Sequence, residues 1–143
     1  MIRKRIPQIK SVMTPFPYSI RIDHSLVQAA KLMKEHNIHH LPVTDGRKLV
    51  GVITEQDINS HQAQNRDADH SSVSEVYVSD VYIVDLDTAL DNVLMKMADN
   101  HIESVLVTKK DQLAGLFTQT DACKCFGKYL REQFTTTGGN DAA

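Results

Sequence analysis

The chain contains one unit written twice. Gly51-Val52-Ile53-Thr54-Glu55-Gln56-Asp57 aligns with Gly115-Leu116-Phe117-Thr118-Gln119-Thr120-Asp121 at an offset of 64 positions. The same offset, without a gap, pairs Val12 with Val76, Tyr18 with Tyr82 and Asp23 with Asp87. It also pairs Leu26 with Leu90, Met33 with Met97, Ile38 with Ile102, Val43 with Val107 and Leu49 with Leu113. About a dozen positions are identical over roughly 50, and many others exchange one apolar residue for another. One copy alone exposes too much apolar surface to be stable. Two similar copies can cover each other's sheets about an approximate two-fold axis, giving one module.

Each copy reads as β-α-β-β-α, a mixed α/β (α+β) class. The first extended segments are Tyr18 to Ile22 and Val81 to Val84. Asp23 and Asp87 then precede helices, where a carboxylate can cap free N–H groups. Leu26, Ala29, Ala30 and Met33, and their counterparts Leu90, Val93, Leu94 and Met97, form the stripe of a helix with one buried face. Asn37 and His101 mark the helix ends. Hairpins follow, turning at Asp45-Gly46 and around Lys109-Lys110-Asp111. Second helices begin near Thr54 and Thr118. The boundaries read as repeat one over 9–62, a polar linker over 63–72, repeat two over 73–126, and a helical extension with a tail over 127–143.

At 143 residues, with 41% hydrophobic and 24% charged residues, the chain can bury a full core. A formal net charge of −2 argues against nucleic acid as a partner. No apolar run reaches bilayer length, so no membrane insertion is expected. Arg3-Lys4-Arg5 lacks a following apolar stretch and reads as a solvated end rather than a signal peptide. The two cysteines, Cys123 and Cys125, make no disulfide framework, and a cytoplasmic location is the expectation. They read as helix residues, at least one packing as a small hydrophobe, rather than as a redox or metal pair.

The repeated Gly-φ-φ-Thr-x-x-Asp (φ apolar) carries the most chemistry. Thr54 and Asp57, and likewise Thr118 and Asp121, fall on one side of a first helical turn. Free N–H groups there favour an anionic or hydroxyl-rich ligand. An ionised Asp only accepts hydrogen bonds, which suits vicinal ribose hydroxyls. The same residues also suit simple helix capping, and spacing alone leaves both roles open.

In order and in duplicate, these elements resemble a tandem pair of CBS domains, named after the cystathionine β-synthase regulatory region. The matching stretches are Ser11 to Pro15, Leu26 to Met33, Ile38 to Asp45 and Leu49 to Asp57. In copy two they are Ile83 to Met97, Ile102 to Thr108 and Leu113 to Asp121. The resemblance covers about residues 9–126. It implies repeats packed sheet to sheet about a pseudo-two-fold axis. It also implies clefts between them that take adenosine-containing ligands, with AMP, ADP or ATP foremost and S-adenosylmethionine as an alternative. It places Asp57 and Asp121 on the ribose and Thr54 and Thr118 at the helix start. Tyr18 and Ile20, and Tyr82 and Val84, would flank the adenine. His39 and His40 would approach phosphates, with Pro42 beside them and Ser104 at the matching position of copy two. It further implies a homodimer, and a separate effector protein and no required cofactor are expected. No nucleophile–base pairing, phosphate-cradling glycine loop or clustered carboxylates at useful spacing stand in the sequence, so no catalysis is expected.

The copies differ where the phosphates are expected. Glu103 and Ser104 replace His39 and His40, and Leu106 replaces Pro42. A carboxylate near a phosphate is unfavourable, so two inequivalent clefts are expected. Adjacent strand residues face opposite ways, so His39 and His40 do not readily share a metal, and none is expected. His61 and His70 read as solvated. Cys123, Phe126, Leu130 and Phe134, with Tyr129, form an apolar stripe on the last helix that could pack on its own module or against a second copy. The competing reading is an interaction scaffold with vestigial pockets, acting through dimerisation.

Overall fold

The computed structural model describes residues 4–134. Copy one carries β1 (Thr14–Pro15), β2 (Ile20–Arg21), α1 (Leu26–His36), β3 (His40–Asp45), β4 (Lys48–Thr54) and α2 (Glu55–Gln64). Copy two carries β5 (Tyr82–Asp85), α3 (Leu90–Asn100), β6 (Ser104–Lys109), β7 (Gln112–Thr118) and α4 (Gln119–Gln133). Arg3 and the tail over 135–143 lie outside the described residues.

The registers of the two copies agree at the offset of the repeat. Strand β2 runs parallel to β3 with Ile20 opposite Val43, and β5 runs parallel to β6 with Val84 opposite Val107. The hairpins β3–β4 and β6–β7 pair His40 with Thr54 and Ser104 with Thr118. Both contain an irregularity at the same point, after Val43 and after Val107. The first hairpin turns through Gly46 at positive φ, whereas the second holds Lys110 and Asp111 there.

Three expectations are corrected in detail. Strand β2 is shorter than predicted and leaves Tyr18 and Ser19 outside it. Phe16 adopts φ 46° and Pro17 has no N–H to donate, so the chain turns before it can pair. Asp23 and Asp87 are not the helix caps. Ser25 caps α1 in a reciprocal pair with Gln28, and Ala89 starts α3 with no side-chain cap. The two aspartates instead pair with Arg21 (3.2 Å) and Lys10 (2.8 Å). His61 is half-buried and meets the Ser71 hydroxyl at 2.9 Å, so it is tied down rather than simply solvated. Asn37 and His101 do end their helices, both in the left-handed conformation.

The packing units are not the sequence repeats. Each copy's leading segment lies on the other copy. Thr14 and Pro15 pair with Leu116 and Gly115 of β7, and Val78 bridges to Val52 of β4. The Ile9 N–H donates to Thr88 and the Val73 N–H donates to His24, both at 2.8 Å. These contacts are mates under the offset of 64. The core under α1 joins Leu26, Ala29, Met33, Leu41, Val43 and Ile53 with Val73 from copy two. The core under α3 joins Val93, Met97, Val105, Val107 and Phe117 with Ile9 from copy one. Leu49, Val52 and Leu106 form a third cluster where the two sheets meet.

The close crossing explains the glycine of the repeated motif. A Cβ on Gly51 would stand 2.1 Å from the Val78 carbonyl oxygen. A Cβ on Gly115 would stand 2.2 Å from the Met13 sulfur. At Gly51 the obstacle is backbone and leaves no room for a side chain, whereas at Gly115 it is the flexible Met13 side chain.

Candidate functional site

Thr54 and Thr118 cap α2 and α4, and each shares a reciprocal pair with the aspartate three residues on. Asp57 Oδ2 accepts from the Thr54 N–H at 3.1 Å, and Thr54 Oγ1 accepts from the Asp57 N–H at 3.1 Å. Asp121 Oδ2 accepts from the Thr118 N–H at 2.8 Å. The cap occupies one carboxylate oxygen of each aspartate. Among the described residues the second oxygen, Oδ1, has no hydrogen-bonding partner. Capping and ligand binding are therefore compatible at these positions.

An open cleft of about 790 Å³ lies between the copies. Thr54, Gln56 and Asp57 of copy one form one wall, and Asp80, Tyr82, Ile83, Lys96, His101 and Glu103–Ser104 of copy two form the other. The volume falls in the range of small-molecule sites. A recess of about 350 Å³ adjoins it, sharing Thr54, Gln56 and Glu103 and adding His39, His40 and Glu55. The structure thus brings together Thr54, Asp57, Tyr82 and Ser104, with His39 and His40 next to them. Ile20, Pro42 and Val84 are buried and do not line either cavity. Pro42 faces Val52 across the hairpin, while Ile20 and Val84 pack beneath α1 and α3.

The electrostatics of the cleft follow from a few contacts. The Lys96 ammonium stands 4.5 Å from the centre of the Tyr82 ring. Burial pushes the Tyr82 phenol above its ordinary value. His39 Nδ1 pairs with the Glu55 carboxylate. His40 Nε2 is shielded from water, has no hydrogen-bond partner and lies 3.8 Å from Glu103 across the copy boundary. Burial pushes His40 below the ordinary histidine value, and the nearby Glu103 and Asp57 carboxylates oppose that only in part.

The positions around Asp121 differ. The offset matches Tyr18 to Tyr82 and His36 to Asn100, and both Tyr82 and Asn100 line the Asp57 cleft. Tyr18 and His36 instead stack on each other with ring centres 3.8 Å apart and planes 16° apart. One face of the Tyr18 ring is therefore occupied by His36, whereas Tyr82 carries no such stack among the described residues.

Sequence reasoning gave no ligand-binding role to Asp80, Lys96, Asn100 or His101. The last three sit at the end of α3, on the helix whose predicted role was to cover the core. Reading the repeat for differences on polar positions as well as likeness on apolar ones would have exposed them.

Along α4, Phe126 is 62% exposed, Tyr129 53%, Leu130 39% and Phe134 64%. The apolar stripe is therefore not packed on its own module. Cys125 rests partly on the core under α3, and burial raises its thiol pKa, while Cys123 is exposed.

A duplicated β-α-β-β-α unit with exchanged leading segments and a cleft at the seam defines a two-repeat module. A family profile described as CBS domain matches residues 9–63 and 73–128, and the chain belongs to that family as a tandem pair. The solved CBS domain pair of protein MJ0100, in complex with 5′-methylthioadenosine and S-adenosyl-L-methionine, superposes with a TM-score of 0.77 at 31% identity, covering 87% of this chain and 99% of that one. The Vibrio cholerae protein AcuB gives a TM-score of 0.82 at 26% identity, covering 92% of this chain and 100% of that one. The L-aspartate semialdehyde sulfurtransferase of Methanocaldococcus jannaschii is 31% identical over 128 residues, 88% of this chain. The chain spans 24% of that enzyme and 39% of protein MJ1232 from the same organism. No helix among the described residues is long and apolar enough to cross a membrane.

Proposed function

We propose that the chain is a regulatory module that binds an adenosine-containing ligand in the cleft beside Asp57 and signals to a separate protein. The observation that carries this reading is the meeting of Thr54 and Asp57 of copy one with Tyr82, Ile83 and Ser104 of copy two around one cavity. Asp57 Oδ1 accepts from the ribose hydroxyls while Oδ2 keeps the helix cap. Tyr82 and Ile83 flank the base, with the backbone of β5 presenting its edge. Ser104 and the neighbouring His39–His40 pair border the 5′ end of the ligand. Relatives with ligands such as S-adenosylmethionine support the class. No group in the cleft is assigned a catalytic role.

Thr118, Asp121 and Tyr18 are the matching positions of a second, weaker site, where His36 competes for one face of the Tyr18 ring. The residues 9–62 and 73–126 act as the two repeats, joined through 63–72. The extension from 127 serves a second copy of this chain, because its apolar stripe is exposed along the described part of α4. Signalling requires a ligand that binds two arrangements of the module unequally.

The test is calorimetric titration with AMP, ADP, ATP, 5′-methylthioadenosine and S-adenosylmethionine. We expect one ligand to bind at about one equivalent and Asp57→Ala to weaken it at least about tenfold, the loss of a charge-assisted hydrogen bond. Asp121→Ala should change it less than about twofold. Absence of binding by all five ligands leaves the scaffold reading in place.

A further inference from the structure

The copies differ in charge at positions that the fold makes equivalent. The Asp57 cleft is lined by three carboxylates, Asp57, Asp80 and Glu103. Their counterparts at the offset of 64 are Asp121, Phe16 and His39, so two of the three carboxylates belong to this cleft alone. Lys96 is the one lysine or arginine in its lining. Its ammonium already rests on the Tyr82 ring. In the adjoining recess His39 is matched by Glu55, and His40 sits shielded beside Glu103. Neither lining contains an arginine, the side chain that would clamp a phosphate through two parallel hydrogen bonds.

We infer that the Asp57 cleft selects an adenosine bearing a neutral or cationic 5′ substituent, such as a thioether or a sulfonium, over one bearing a polyphosphate. The inference rests on the adenosine reading above and sharpens it. It shifts weight away from the AMP, ADP or ATP suggested by the resemblance. A triphosphate would bring three to four negative charges toward Glu103 and Asp80, with Lys96 the one permanent cation in the lining and His101 the one imidazole. The exposed Glu103 carboxylate repels such a group. A sulfonium meets the same carboxylates with favourable sign. Burial disfavours protonation of His40, so the histidine does not cancel the acidic lining near neutral pH.

The experiment uses the full chain with Asp121→Ala to isolate one cleft. Adenosine, 5′-methylthioadenosine, S-adenosylmethionine, AMP and ATP are titrated at low and moderate salt. We expect S-adenosylmethionine to bind tightest and ATP weakest, with the gap narrowing as salt rises. Asp80→Asn with Glu103→Gln should shrink the ratio of S-adenosylmethionine to ATP affinity by about tenfold. Both residues are exposed, so these changes should not unfold the protein. ATP binding at least as tightly as S-adenosylmethionine overturns the charge inference and leaves the adenosine reading intact. So does a ratio unmoved by the double substitution. Binding by none of the five overturns both.

Discussion

Gly51 and Gly115 are equivalent in sequence but not in what they touch, and substituting each with alanine should separate them. In Gly51→Ala the new methyl meets backbone, the Val78 oxygen at 2.1 Å and the Val78 carbonyl carbon at 3.0 Å. Relief requires the leading segment of copy two to move by about 1 Å, since nonbonded carbon and oxygen do not approach much closer than about 3 Å. That movement strains the two hydrogen bonds between Val52 and Val78, at 3.0 and 2.8 Å. Each is worth about 1 kcal/mol, and overpacking adds about 1–3 kcal/mol. We expect a loss of about 3–5 kcal/mol and a fall in Tm of roughly 10–15 °C. In Gly115→Ala the nearest atoms all belong to the Met13 side chain, led by its sulfur at 2.2 Å. A thioether rotates away cheaply, and alanine restricts the unfolded chain by about 0.4–1 kcal/mol in compensation. The expected loss is about 1 kcal/mol. Urea unfolding at matched protein concentration reads both, as a shift in midpoint at constant slope. Equal destabilisation, or a larger effect at Gly115, would refute the assignment of a backbone clash to one seam and a yielding side chain to the other.

Three further outcomes follow from other contacts. His36→Ala removes the stack on Tyr18, so titration with the ligand that fills the Asp57 cleft should show a second, weaker equivalent; retention of one site would show that the stack does not close the Asp121 position. His40 is held below its unfolded pKa of about 6.5, so the unfolded chain takes up the proton first. The stability it supports is complete above that value and falls as pH drops through the folded pKa, and His40→Gln should flatten the slope of stability below about pH 6.5. If the α4 stripe joins two copies, Phe126→Glu with Leu130→Glu should convert a dimer to a monomer in sedimentation without lowering the Tm of the monomer by more than about 2 °C, because neither residue is buried in one chain. An unchanged sedimentation coefficient would remove α4 from the interface.

Apolar periodicity and the repeat carried most of the architecture. Leu26, Ala29 and Met33, and Leu90, Val93 and Met97, are buried where their spacing placed them. The Thr-x-x-Asp pairs start α2 and α4 as expected. The exchange of leading segments was not legible, because Ile9 and Val73 are apolar at matching positions whichever copy they cover. Their partners are fixed by three-dimensional closure of the chain. Asp23 and Asp87 show the limit of capping rules. An aspartate before a helix has competitors, here Arg21 and Lys10, and the residue nearer the first turn wins the cap when its side chain is short enough, as with Ser25. In the site, Thr54 and Asp57 were legible because their motif is local. Asp80, Lys96 and His101 reach the cleft only through the packing of copy two on copy one.

The exchanged segments also supply a physical route from cleft to seam. Val78, Asp80 and Val81 line the Asp57 cleft, and Val78 is the residue hydrogen-bonded to Val52 above Gly51. The same short stretch then continues into β5, which carries Tyr82 and Ile83. A ligand seated between Asp57 and Tyr82 therefore presses on the strap that fastens copy two to copy one. Its binding energy can be divided between the cleft and the seam without any intermediate element. The mate of this strap, Thr14 to Pro15 on β7, has no equivalent leverage while Tyr18 is stacked on His36. Under the proposed function, coupling one cleft to one seam would make the response of the module asymmetric. The size of that response is set by how differently the ligand binds the strap when seated and when shifted, so Gly51→Ala, which displaces the strap, should weaken the ligand of the Asp57 cleft more than Gly115→Ala does.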